Sequence, residues 1–341
     1  MSRKNSTTLQ GKEHSSVLSK IMGMNGSAVL IALVVWVLFC SLFVSTINPG
    51  AKFNAASTLI SVFKQQAYMG VIACGLTLVM ITGNIDLSVG SMLTLLACIC
   101  GKLLDYGTFA ALFGTLAIGA LFGLINAILV SGLRLNAFIS TLAMGSVYGS
   151  VAIIYTSGGY IKPDQTKNIA FQQIFGKGSI GFLPAPVIVL AVICIVLGFV
   201  LARTVFGQRL YAIGSNLTAA RFSGVHVRRD VGITYVITGM TVALAAIMMM
   251  ANVMSANPQA ASGKEMDIIM AVVLGGTAIQ GGKGNIIGTV IGFTFIGFLS
   301  SGFTALGMSE GLQMVIEGII LVVALSSDVM KERGVSLWKK K

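Results

Sequence analysis

Residues 27–47 read SAVLIALVVWVLFCSLFVSTI, twenty-one residues without one charged side chain. An α-helix needs about 20 apolar residues to cross a bilayer core, so this stretch reads as a membrane span. It follows a polar segment of 26 residues. It is too long for a signal-peptide core and has no small-x-small cleavage site after it, so it is expected to stay as an anchor. Similar apolar blocks recur almost to the end of the chain.

Composition places the whole chain in the same class. Hydrophobic residues make up 55% and charged residues 10%, and the mean hydropathy is +0.89, whereas a soluble domain carries about 25% charge. Ten spans are read, at 28–47, 65–82, 89–104, 108–131, 137–156, 184–202, 231–253, 267–281, 286–305 and 311–326. Two of them, 89–104 and 267–281, are short for a core about 30 Å thick. Eight spans with both short blocks re-entrant is the alternative count.

The net charge of +12 does not point to nucleic acid, because the basic residues gather at the ends of apolar blocks. With an internal N-terminus and alternating spans, Lys52, Lys64, Lys102, Lys162, Lys167, Lys177 and Lys264 fall outside, and the other 16 of the 23 Lys and Arg fall inside. That excess follows the positive-inside rule. The expected fold is therefore all-α: a polytopic transmembrane bundle of about ten spans with both termini cytoplasmic. A cytoplasmic tail would cover 1–26, the transmembrane domain 27–328 with a polar loop at 203–230, and a basic tail 329–341. Two halves of five spans would have opposite topology, as in inverted-repeat transporters.

The five cysteines, Cys40, Cys74, Cys98, Cys100 and Cys194, lie inside apolar blocks without ligand spacing to His14 or His226. They read as small buried hydrophobes, with no metal site expected. The outside segments, the longest at 157–184, are too small for a domain that captures solute.

Three stretches carry further information. Residues 81–90 read ITGNIDLSVG, with Asp86 at the end of an apolar block. Asp86 either caps the next helix through the 87–89 amides or joins Asn84, Ser88 and Asn126 at a substrate path or gate. Asn136 and Thr141 are further polar candidates beside spans. Residues 207–229 read GQRLYAIGSNLTAARFSGVHVRR and hold Arg209, Arg221, Arg228 and Arg229. A short helix at 216–223 is expected, with Asn216 as N-cap and Gly224 at its end. Two turns are too few to be stable alone in water, so something must grip it.

Residues 271–292 read AVVLGGTAIQGGKGNIIGTVIG. A Walker phosphate loop would need glycine where Thr277 stands and Ser or Thr where Gly284 follows Lys283, and the dinucleotide pattern fails at Ile287. What remains is Gly284, Gly288 and Gly292 at a spacing of four, expected to give close helix packing within the bundle, or alternatively at an oligomer interface. Gly119 and Gly123 repeat the device. Glu265 and Asp267 read as acids at a helix N-terminus, and Met248 to Met250 as filler. Glu317, inside the last span, is either functional or a side chain reaching the membrane surface. Two histidines allow no catalytic constellation, and no nucleotide-binding motif occurs.

These three stretches, in order and at matching positions, resemble the membrane-spanning permease subunit of bacterial ATP-binding-cassette importers of the ribose, xylose and galactose type. The family's stretches are TGGIDLSVG, GRxLYAIGGNExAARLSGINV and ELDAIAAVVLGGTxLxGGxG, and the likeness runs from the first span to about Asp328. The resemblance implies a sugar importer subunit of the bacterial inner membrane, without enzymatic activity or cofactor of its own. Two copies would pair with two copies of a cytoplasmic ATPase that binds ATP, and a soluble binding protein outside would deliver a monosaccharide-like solute. It also implies that the short helix docks into the ATPase through Asn216, Thr218, Ala219, Ala220, Arg221, Phe222 and Gly224. Thr218 stands where the family carries glutamate. The rival reading is an autonomous ion-coupled carrier or channel for a small polar solute.

Overall fold

The computed structural model describes residues 27–51, 53–260 and 263–332; the tail expected at 1–26 and residues 333–341 lie outside them. The helices are α1 (Ser27–Ile47), α2 (Ala55–Gln65), α3 (Ala67–Ile81), α4 (Val89–Leu103), α5 (Thr108–Ala127), α6 (Ala137–Thr156) and α7 (Ile169–Gln172). After a two-stranded hairpin, β1 (Ser179–Ile180) and β2 (Leu183–Pro184), come α8 (Ala185–Arg203), α9 (Val205–Ser215) and α10 (Leu217–Phe222). The rest are α11 (Val227–Val253), α12 (Lys264–Leu274), α13 (Ile286–Ala305) and α14 (Glu310–Glu332).

Among the described residues seven helices are long and apolar enough to cross a membrane, and α2 with α3, bent by 66° between them, would make an eighth if the pair is one span. Of the other two expected blocks, one forms a shorter structure. Helix α12 stops at Leu274, where Gly275 and Gly276 follow, Gly276 with φ +89. Its eleven residues extend only about 16 Å at 1.5 Å per residue. The other lies in α14, which covers the block expected at 311–326 and runs on to Glu332, past the expected boundary at 328.

The core forms around α3, in which every residue but Tyr68 is buried. Helices α11, α8, α12 and α13 pack around it, and α11 also lies along α5 and α4. An apolar surface facing lipid provides no drive for helices to associate, so contact depends on close approach. The α5–α11 seam meets this need with glycine. A Cβ on Gly123 would run into the Tyr235 carbonyl, and one on Gly239 into the Gly119 carbonyl. Helices α12 and α13 meet in the same way: Gly288 faces the Gly275 carbonyl and Gly292 the Ala271 carbonyl. This contact is within the bundle. Gly284 departs from the expected helical face, because α13 begins at Ile286 behind the N-cap Asn285. With φ +153 and Thr277 and Ile81 against it, Gly284 serves a turn.

The polar interruption at 203–230 also differs from a bare loop with one short helix. It contains two helices, α9 before α10. Thr204 starts α9 by accepting the Gly207 amide at 3.1 Å, and Leu210 and Ile213 bury its inner face.

Candidate functional site

Two non-helical segments, 82–88 and 275–285, end short buried helices at the same end of the bundle and touch there. The Gly282 amide donates to the Ile81 carbonyl at 2.8 Å. Helix α9 completes the junction. Gly214 is wedged against the Ile81 carbonyl and the Gly282 amide, where a Cβ has no room, and the Tyr211 hydroxyl donates to the Gly284 carbonyl at 2.7 Å. Its partner face is tied to α11, where Arg209 lies 4.0 Å from the buried carboxylate of Asp230. Helix α9 thus touches the end of α3, the turn after α12 and the start of α11.

Helix α10 projects from α9 on the outer side of this junction. Its six residues cannot hold a helix by propensity, and local caps hold them instead. The Asn216 side chain accepts the Ala219 amide at 2.9 Å, and the Val225 amide donates to the Ala220 carbonyl at 3.1 Å. Gly224 closes the turn in the left-handed region, φ +80, which suits glycine. Ala220 alone is buried; Thr218, Ala219 and Arg221 are exposed, and Phe222 is 89% exposed. The exposed ring stands beside the exposed Arg221 on one short helix.

The candidate path residues divide. Asp86, Ser88 and Asn126 come together and are fully buried. Asp86 accepts from the Ser88 amide (2.9 Å) and hydroxyl (2.6 Å) through one oxygen and from Asn126 (3.2 Å) through the other. Asn126 also donates to the Ser88 hydroxyl at 2.8 Å, and Tyr148 donates to the Asn126 carbonyl at 3.4 Å. Burial pushes the Asp86 carboxyl above its ordinary range, while the Ser88 and Asn126 bonds pull it back. Thr141 accepts the Leu87 amide at 3.0 Å, and Tyr235 donates to the Ile85 carbonyl at 3.3 Å. Segment 82–88 is thus stitched to α5, α6 and α11.

Asn84 lies apart from this network, its amide on the Thr82 hydroxyl at 2.9 Å, and lines a separate cavity. Asn136 caps α6 through the Ile139 amide at 3.2 Å. At the opposite end, Lys264 and Asp267 pair at 2.9 Å in the first turn of α12. Glu317 is 9% exposed and lies close enough to these two charges to interact with them, across the α12–α14 contact. Sequence reasoning missed Tyr211, Gly214 and Asp230. The signal was present, since a tyrosine and a glycine stand in a basic segment facing a lone acid, but only the fold shows what they meet.

Residues 58–325 match the family described as branched-chain amino acid transport system / permease component. The chain is 38% identical over 292 residues to the ribose import permease protein of Bacillus subtilis (85% of this chain, 89% of that one). It is 35% identical over 291 residues to that of Escherichia coli K12 (85% and 90%). The fructose import permease protein of Rhizobium meliloti is 32% identical over 313 residues (89% and 86%). No solved structure matches the chain.

Proposed function

This chain belongs to the branched-chain amino acid transport system / permease component family, and from that premise we propose how it works within an ATP-binding-cassette importer. It is the importer's multi-pass membrane permease. The solute is a monosaccharide-like molecule, as the printed names of its relatives suggest. ATP is bound and hydrolysed by a separate ATPase, a binding protein delivers the solute, and two copies of the permease assemble. The end bearing α9 and α10 faces the cytoplasm of a bacterial cell and the membrane is the inner one, in keeping with the basic residues at that end.

The observation that carries the mechanism is the mechanical line from α10 to the core. The ATPase grips the exposed face of α10, mainly Phe222 and Arg221. Its movement passes through α9, by Gly214 and Tyr211, to the junction of 82–88 and 275–285, which shifts as a unit while the bundle opens and closes elsewhere by alternating access. The buried Asp86 network keeps one of these segments rigid during that movement.

Phe222→Ala tests this reading. The ring is 89% exposed, so the variant is expected to reach the membrane in normal amounts while uptake falls and less ATPase co-purifies. A bulky residue at the buried Ala220 is a weaker test, because it would disturb α10 itself. Undiminished uptake with normal ATPase recovery would overturn the coupling role. Gradient-driven uptake by proteoliposomes holding this chain alone would replace the importer with an ion-coupled carrier.

A further inference from the structure

Beside the junction lies a cavity of about 390 Å³. Its walls come from residues 82–84, the end of α5 and the turn after it, α9 with α10, the first turns of α11, and Gln280. Three arginines, Arg134, Arg221 and Arg228, are among its lining residues, and no acidic residue is. Among the described residues none of the three forms an ion pair, and the nearby Asp230 is taken by Arg209. All three arginines are exposed, so water screens their mutual repulsion, and together they give the hollow a positive potential that attracts an anion. Val130, Leu135, Ile213 and Val231 supply apolar walls.

The helix end places Arg134 at the rim of this hollow. The α-helical turn of α5 loosens into a π-turn at Ile128–Gly132, and the chain then places Arg134 at φ +60. The bonds from the Leu133 amide to the Ile128 carbonyl and from the Leu135 amide to the Leu129 carbonyl close the helix end in the manner of a left-handed cap, as the left-handed residues Ser157 and Met254 do at two other helix ends.

Guanidinium forks match phosphate oxygens, and three of them suit a dianion with several oxygens better than a carboxylate with two. The volume falls within the range of about 300–1,000 Å³ for small-molecule sites, more than a bare phosphate fills. We propose that in the permease free of its ATPase this cavity binds the phosphate ester of a small polar molecule, with the three arginines on the phosphate and Asn84 and Gln280 beside the organic part. A bound anion would bridge α10, through Arg221, to the bundle, through Arg134 and Arg228. Only the compartment that supplies the ligand rests on the orientation proposed above; the binding itself does not. An anionic lipid headgroup presents the same phosphate chemistry.

The test is calorimetric titration of the chain, purified in neutral detergent, with ribose 5-phosphate, ribose, inorganic phosphate and phosphatidylglycerol. Saturable binding of ribose 5-phosphate, competed by inorganic phosphate and absent for ribose, is expected. Arg228→Gln and Arg134→Asn should each weaken it by about tenfold or more; asparagine tolerates the backbone at 134, and elution at the wild-type volume confirms that both variants fold. Arginine-dependent saturation by phosphatidylglycerol alone would support the phosphate site and assign it to a lipid headgroup. Absence of saturable binding by either, or binding equal in wild type and both variants, would overturn the proposal. Loss of transport in a Phe222 variant leaves this result untouched, so the two readings fail separately.

Discussion

Segments 82–88 and 275–285 solve one problem in two ways. Each ends a short buried helix and must satisfy backbone groups away from water, where an unpaired group is costly. Segment 82–88 does so with side chains: Asp86, Ser88 and Thr141 accept or donate in place of helical partners. Segment 275–285 does so by discarding side chains. Gly276, Gly281, Gly282 and Gly284 have positive φ, and backbone meets backbone at Ile81, Gly83 and Gly214. The first solution can be weakened by degrees, since each bond is removable on its own. The second fails at once, because a single methyl group has nowhere to go.

The sharpest way to break this contrast is Gly282→Val. A Cβ there would stand 2.6 Å from the Ser215 hydroxyl oxygen and 3.0 Å from its backbone, at φ +75. Backbone strain and overpacking together should cost at least about 3 kcal/mol, seen as loss of monodisperse protein or a large fall in melting temperature in detergent. Next comes Asp86→Ala, which removes the acceptor of three bonds and should cost about 3 kcal/mol or slightly less. Asp86→Asn should recover roughly half of that; full recovery would show that charge contributes nothing in the network. Tyr211→Phe deletes one hydroxyl bonded to the Gly284 carbonyl and should cost about 1 kcal/mol while reducing uptake more than stability. The smallest effect belongs to Asn84→Ala, within about 0.5 kcal/mol, since Asn84 is half-buried and outside the Asp86 network. An Asn84 effect as large as that of Asp86 would merge the two sites that the structure separates.

The same contrast explains what could be read without a fold. Apolar runs such as 27–47 show their helices directly, because a span is a local property of composition. The caps Asn216 and Gly224 were legible too, since each acts within three or four residues of itself. Asp86 stands out as an anomaly and can be grouped with Ser88 and Asn126, but the bonds themselves cannot be read: that from Asn126, 40 positions away, to Asp86 and that from Tyr148 to Asn126 arise only through the α4, α5 and α6 packing. The glycine pattern misled in one respect: a spacing of four suggested a single face through Gly284, whereas Asn285 starts the helix and leaves Gly284 in the turn. The length of α12 escaped as well, because residues 275–281 look apolar enough to continue a helix until the left-handed glycines are placed.

The glycine seam between α5 and α11 carries a kinematic consequence. Helices that touch through side chains can slide by exchanging rotamers, one small step after another. A seam of carbonyls set directly against Cα atoms has no rotamers to exchange, so it offers no bearing surface. Helices α5 and α11 therefore travel as one body, with the Asp86 network riding on it, and relative displacement within the bundle falls to contacts lined with side chains, such as those of α1 and α14.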